Sequence, residues 1–188
     1  MAYKIRQEFI KYNNPGTPLK AKGIVVHETD DPGATAQNEH DYFNSGNRMA
    51  SAHAFIDWTK IIQTIPWEHI SYHAGPTANH KYIGIELCHP KTHRPAKFNA
   101  VWNRATWLFA YLFVNYLKIK TVTKGNLMSH AEVSAKWHES SHQDPIPYFS
   151  EYGKTVNDFR KEVQVQINLL LKKKNRKLLT KINRYSKL

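Results

Sequence analysis

Between Ser129 and Pro145 the run SHAEVSAKWHESSHQDP gathers His130, His138, His142 and Asp144, and far upstream His27 ends the apolar stretch GIVVH. Imidazole nitrogens and carboxylate oxygens are donors for zinc, which takes three protein ligands and keeps one position open where the metal is catalytic. His27, His130 and the His138/His142/Asp144 group are therefore the best-supplied metal candidates. Spacing alone does not choose among the eleven histidines, because the chain has neither an HExxH nor a CxxC pattern. Glu86 lies inside the apolar run YIGIELC. A carboxylate is costly to bury there without a purpose, which marks it as a candidate for moving protons.

These residues need elements to carry them. GIVVHET is a short β-branched run bounded by turn residues and predicts a buried strand ending at His27. SAHAFIDWTKIIQTIP predicts two strands joined by a tight turn near Thr59 and Lys60, with His53 in the first. YIGIELCHP predicts a strand delivering Glu86, and NLMSH a strand ending at His130, followed by no regular pattern until about Thr155. ATAQNEHDYFNSGN predicts a helix closing at Gly46. Asn99–Lys118 carries Trp102, Ala105, Leu108, Phe109, Leu112, Phe113, Tyr116 and Leu117 at three- and four-residue spacings, a helical face wide enough to cover a sheet. Strands interspersed with helices predict an α/β fold with a central mixed β-sheet flanked by helices.

The last third changes character. Phe159, Val163, Ile167, Leu170 and Leu171 form a helical stripe, and a Lys-rich amphipathic helix continues from it. A boundary near Gly153 separates a unit of residues 1–153 from a basic helical tail or linker, 154–188. The stripe is expected to dock on the domain and the Lys-rich remainder to face solvent.

The chain has 188 residues, 27 Lys plus Arg against 15 Asp plus Glu, and a net charge of +12. That balance predicts a polyanionic partner: nucleic acid, anionic lipid or an acidic wall polymer. The sequence offers no nucleic-acid reading motif, so no nucleic-acid partner is expected. Cys88 is the single cysteine, which excludes an internal disulfide. The amino end MAYKIRQEFIKYNN lacks the apolar core of a secretory signal, and no run reaches the length of a membrane span.

The segments VVHET, ASAHAFID, YHAG, IGIELC, SHAEVS and HQDP fall in an order that resembles the zinc-dependent N-acetylmuramoyl-L-alanine amidases of the amidase-2 type. That family includes phage endolysins, autolysins and the related peptidoglycan recognition proteins. The resemblance covers roughly residues 20–153. It implies a Zn2+ cofactor held by His27, His130 and Asp144, with Glu86 handling the proton of the attacking water. It also implies that His142 stands where many members carry lysine and stabilises the developing oxyanion. Asp144 replaces the cysteine of many members, which makes the site harder and lets other divalent metals compete. His53 and His73 recur in family-like segments and are expected to line the groove or support neighbouring ligands, while Trp67 and Tyr72 could stack on sugar or peptide.

The implied activity is cleavage of the amide between N-acetylmuramic acid and L-alanine in peptidoglycan. The alternative is a recognition module that binds peptidoglycan without cutting it. A phage endolysin is the expected setting, made in the host cytoplasm without a signal peptide and acting on the wall after release. The basic tail is expected to add attraction to anionic wall polymers, with membrane contact available but not required.

Overall fold

The computed structural model describes residues 2–185. Six strands, β1 (Ile5–Gln7), β2 (Gly23–Glu28), β3 (Ala54–Ile56), β4 (Ile61–Gln63), β5 (Tyr82–Leu87) and β6 (Leu127–Ser129), form one sheet in the order β1-β4-β3-β5-β2-β6. Only β3 and β4 run antiparallel, across the tight turn at Asp57–Lys60; the other pairs are parallel. The sheet is mixed, as the sequence predicts. Six helices accompany it: α1 (Ala36–Phe43), α2 (Pro76–Asn79), α3 (Pro95–Leu112), α4 (His130–Trp137), α5 (Ile146–Glu151) and α6 (Val156–Tyr185).

Side chains alternate between the two faces of a strand. Ile24 and Val26 of β2, and Ile83, Ile85 and Leu87 of β5, belong to the main core together with Phe98, Val101, Trp102, Ala105, Leu108 and Phe109 of α3. Their neighbours Val25 and His27, and Gly84 and Glu86, consequently point to the opposite face. That face is covered by the short helices α1, α2 and α4 and by loop residues such as His73 and Ala74, and the cavity opens there. The strands carrying the core are largely buried on both faces, as central parallel strands are.

Two stretches differ from the sequence reading. The strand expected to run through His130 stops at Ser129, and His130 is the first residue of α4. Ser129 caps that helix: its hydroxyl accepts from the Glu132 N–H, and Glu132 accepts from the Ser129 N–H. This reciprocal capping box ends β6 at Ser129 and starts the helix at His130. The segment expected to lack regular structure up to Thr155 holds α4 and α5. Beyond Leu112 the long helix widens into a π-helical turn, Phe113–Leu117, and ends at Lys118 with φ 59°.

The tail begins as part of the fold. Phe159, Val163 and Ile167 on α6 are buried in the same core as α3, and Phe159 meets Trp102 and Phe109 edge to face. Farther along, Lys172, Lys173, Lys174 and Arg176 are exposed. Residues 186–188 of the expected tail lie outside the described residues. Among the described residues no helix is long and apolar enough to cross a membrane.

Candidate active site

The C-terminal ends of β2, β5 and β6 lie side by side, where open sheets with parallel strands place their ligand sites. His27 and Glu86 are partners in the β2–β5 register, and His130 follows β6 directly. The loop after α4 brings Asp144 back over them: its carbonyl accepts from the Ala131 N–H, and its Oδ2 accepts from the Glu28 N–H. His27 Nδ1 is then 3.1 Å from His130 Nδ1 and 3.2 Å from Asp144 Oδ2, and His130 Nδ1 is 3.0 Å from Asp144 Oδ1.

Three donors this close fit a divalent metal. Zinc bonds of about 2.0–2.2 Å in tetrahedral geometry place adjacent donors roughly 3.3–3.6 Å apart, a spacing the three atoms reach by small outward shifts. The outward nitrogens are occupied: His130 Nε2 lies 2.9 Å from the Ser140 hydroxyl, and His27 Nε2 lies 3.0 Å from His73 Nδ1. Both histidines thus aim Nδ1 at a common point. Among the described residues His27, His130 and Asp144 are the group whose donor atoms converge enough to hold a metal ion.

The electrostatics suit that use. Burial holds the His27 imidazole below its ordinary range, against the opposing pull of Asp144, so the ring stays neutral and able to donate a lone pair. Burial would raise Asp144, but the imidazoles of His130 and His27 beside it outweigh that and keep the carboxylate ionised. Glu86 is the contrast. Burial pushes its carboxyl well above the usual carboxylate range, with Asp144, Glu39 and Glu28 adding repulsion. Its Oε1 is 3.9 Å from His27 Nδ1, and its Oε2 is buried without a hydrogen-bond partner.

His142 stacks on His130 with ring centroids 4.8 Å apart and planes 8° off parallel, and its Nδ1 is 3.8 Å from Asp144 Oδ1. Its side chain is 70% exposed, at the cavity rim, where it can meet a substrate. His138 caps α4 in a left-handed conformation, exposed, and takes no part in the cluster.

The cavity holds about 410 Å³. Phe43, Met49, Ala52 and Phe55 make one apolar wall, and Gly75, Glu139 and Ser140 face the site from the other side. Tyr72 and His73 line it. His53 and Trp67 do not. His53 is fully buried, its Nε2 on the His69 carbonyl and its Nδ1 accepting from the Ser71 hydroxyl and the Gly84 N–H. Trp67 stacks on His53 and packs against the main core. Both hold the wall from behind, His53 just before β3 and Trp67 in the turn after β4.

Sequence reasoning passed over three participants. Ser140 bonds His130, the Glu28 backbone bonds Asp144, and Glu139 bridges to Thr77, its carboxylate accepting from both the N–H and the hydroxyl at 2.7 and 2.6 Å. Only the third left a trace. Gly75, with φ 92°, is where a Cβ would approach Glu139 Cβ to 2.7 Å, and the sequence shows a lone glycine there.

The family model described as N-acetylmuramoyl-L-alanine amidase (Amidase_2) matches residues 17–147. Protein Ami of Listeria monocytogenes is 32% identical over 160 residues, which cover 83% of this chain and 17% of that protein. The probable N-acetylmuramoyl-L-alanine amidase of Bacillus licheniformis is 32% identical over 182 residues, 85% of this chain and 47% of that protein. The chain thus spans less than half the length of these curated relatives. The crystal structure of the Staphylococcus aureus hydrolase AmiA with its ligand superposes with a TM-score of 0.82 at 25% identity, covering 92% of this chain and 87% of that one. A mutant endolysin from Bacillus subtilis gives a TM-score of 0.69 at 25% identity, covering 86% and 99%.

Proposed function

Because the chain belongs to the N-acetylmuramoyl-L-alanine amidase family, we propose that it is a zinc-dependent hydrolase cutting the amide between the lactyl group of N-acetylmuramic acid and L-alanine in peptidoglycan. The observation that carries the reading is Glu86, a buried carboxyl with one unpartnered oxygen beside three converging metal donors. A module that only binds peptidoglycan has no use for that costly group.

His27, His130 and Asp144 would hold the ion, which supplies positive charge and Lewis acidity where the three donors meet. Glu86 takes the proton of the attacking water and passes it to the departing L-alanine nitrogen, a double duty favoured by a raised carboxyl pKa. His142 presents a ring N–H from the rim to the lactyl oxygen as negative charge develops there. Tyr72 and the apolar wall of Phe43 and Phe55 bound the sugar and peptide and keep water out of the remaining space.

In this reading residues 1–153 carry the chemistry and 154–188 are a basic tail, whose exposed lysines on α6 attract anionic wall polymers. Nucleic acid is not a partner and a membrane surface is not required. The likeness to the Bacillus subtilis endolysin supports a phage enzyme made in the host cytoplasm and acting on the wall after release. Purified walls incubated with zinc-loaded protein are expected to gain free L-alanine amino termini. Wall binding with no new termini would replace this reading with the recognition module.

A further inference from the structure

His73 touches no metal donor directly, yet it governs one. His27 aims Nδ1 at the metal position, beside the Asp144 carboxylate, so with a metal bound its single proton must sit on Nε2, where His73 Nδ1 at 3.0 Å is placed to accept it. A ring that accepts at Nδ1 carries its own proton on Nε2. His73 Nε2 lies 3.2 Å from the Tyr82 carbonyl, a group that only accepts. The carbonyl therefore sets both protons in one direction. Reversing them would aim the His73 Nε2 lone pair at the Tyr82 oxygen.

The ring of His73 is itself fixed. It stands edge to face with His27, centroids 5.1 Å apart and planes at 86°, and the His73 backbone N–H donates to Asn79 Oδ1 at 2.9 Å. Gly84 lies against it: a Cβ there would fall 2.4 Å from His73 Cγ. The missing side chain on β5 is what admits the imidazole. His130 has no such control, since its outward partner is the Ser140 hydroxyl, which can donate or accept.

We propose that His73, anchored by the Tyr82 carbonyl and admitted by Gly84, is the positioning residue that locks His27 in the tautomer with Nδ1 free for metal. The proposal rests on the reading of His27 as a metal ligand. Its prediction is asymmetric: losing His73 weakens metal binding, whereas losing Ser140 does so less.

The test uses the full chain. Zn2+ is titrated against a chromophoric chelator for wild type, His73→Phe, His73→Gln, Gly84→Ala and Ser140→Ala, and ring-nitrogen NMR reads the His27 tautomer in metal-free protein. Expected are an Nε2–H His27 in wild type and zinc affinity about 10–100-fold lower in His73→Phe. His73→Gln, whose amide oxygen can still accept, should recover part of it, and Gly84→Ala should resemble His73→Phe. Wild-type affinity and tautomer in His73→Phe would overturn the role of His73 and leave the amidase reading standing. Failure of wild type to bind zinc would remove both. Should His73→Phe not fold, the wild-type spectrum decides, because an Nδ1–H His27 contradicts the lock by itself.

Discussion

His27 and Glu86 face each other as register partners across the β2–β5 ladder, with Glu86 Oε1 3.9 Å from His27 Nδ1. A slip of one residue in either strand would turn its functional side chain into the core beneath α3. The pairing therefore fixes proton acceptor and metal donor at one end of one sheet face. Glu86→Gln keeps the shape and removes the base. It is expected to lower turnover on purified walls by about 10²–10⁴-fold while zinc content stays at the wild-type level. Full lytic activity in this variant would take Glu86 out of the chemistry.

Metal binding should also be visible as stability. A ligand bound only by the folded state stabilises it by about 4 kcal/mol at a thousand times its dissociation constant. For a chain of this size that corresponds to a rise of roughly 8–16 °C in Tm. Calorimetry with excess zinc and after chelation should show that gap, and Asp144→Ala should close most of it. Identical melting curves in the two conditions would count against a metal held by His27, His130 and Asp144.

The legible parts of this molecule are those written in local pattern. The short apolar runs GIVVHE and YIGIEL predict both strands, and the stripe from Trp102 to Leu117 predicts the covering helix. S-H-A-E was equally local, yet the apolar run before it suggested a strand through His130 where a capping box starts α4. The different fates of His53 and His73 were not legible. Both lie in family-like segments, but Gly84 gives one of them an N–H and the other its space, and that meeting spans more than ten residues of sequence. The same holds for Ser140, whose role depends on where His130 points.

Glu39 offers a test away from the chemistry. Burial above all, with Asp31 and Glu28 nearby, raises its carboxyl to about 7, and its Oε1 is buried without a partner. A carboxyl raised on folding favours the folded state below its unfolded pKa, and that advantage disappears as pH rises through the folded value. Wild type should therefore lose stability between about pH 4.5 and 7 from this group. Glu39→Gln should match wild type near pH 4 and exceed it by on the order of 1–2 kcal/mol near pH 8, allowing for solvent screening. Urea titrations at the two pH values check this; equal differences at both would refute it.

The exposed cluster Lys172, Lys173, Lys174 and Arg176 predicts salt-sensitive wall binding. Changing all four to Gln should weaken binding at low salt by roughly tenfold and flatten its dependence on salt. Cleavage of a small soluble muramyl peptide should stay unchanged, since the cavity is lined by none of them. Co-sedimentation with walls over a salt series separates the two effects. An unaltered salt profile would assign the attraction to another surface.

Glu139 and Thr77 test whether the loop over the site must be tethered. The Glu139 carboxylate accepts from the Thr77 N–H and hydroxyl, and Gly75 leaves space for it. Through this contact the segment between His138 and Asp144 is fixed at the end facing α2, while Asp144 fixes the other. His142 and Ser140 lie between the two anchors. Glu139→Ala should loosen both, raising KM and lowering kcat together by about tenfold, since a small misplacement of a positioned group is costly. The metal should remain, because none of its three donors belongs to the freed stretch. Thr77→Val removes the hydroxyl but keeps the N–H, so its effect should be smaller and of the same kind. Kinetics on a soluble muramyl peptide, read beside zinc content, distinguish this from loss of the site. Unchanged kinetics in Glu139→Ala would mean that Asp144 alone holds the loop in place.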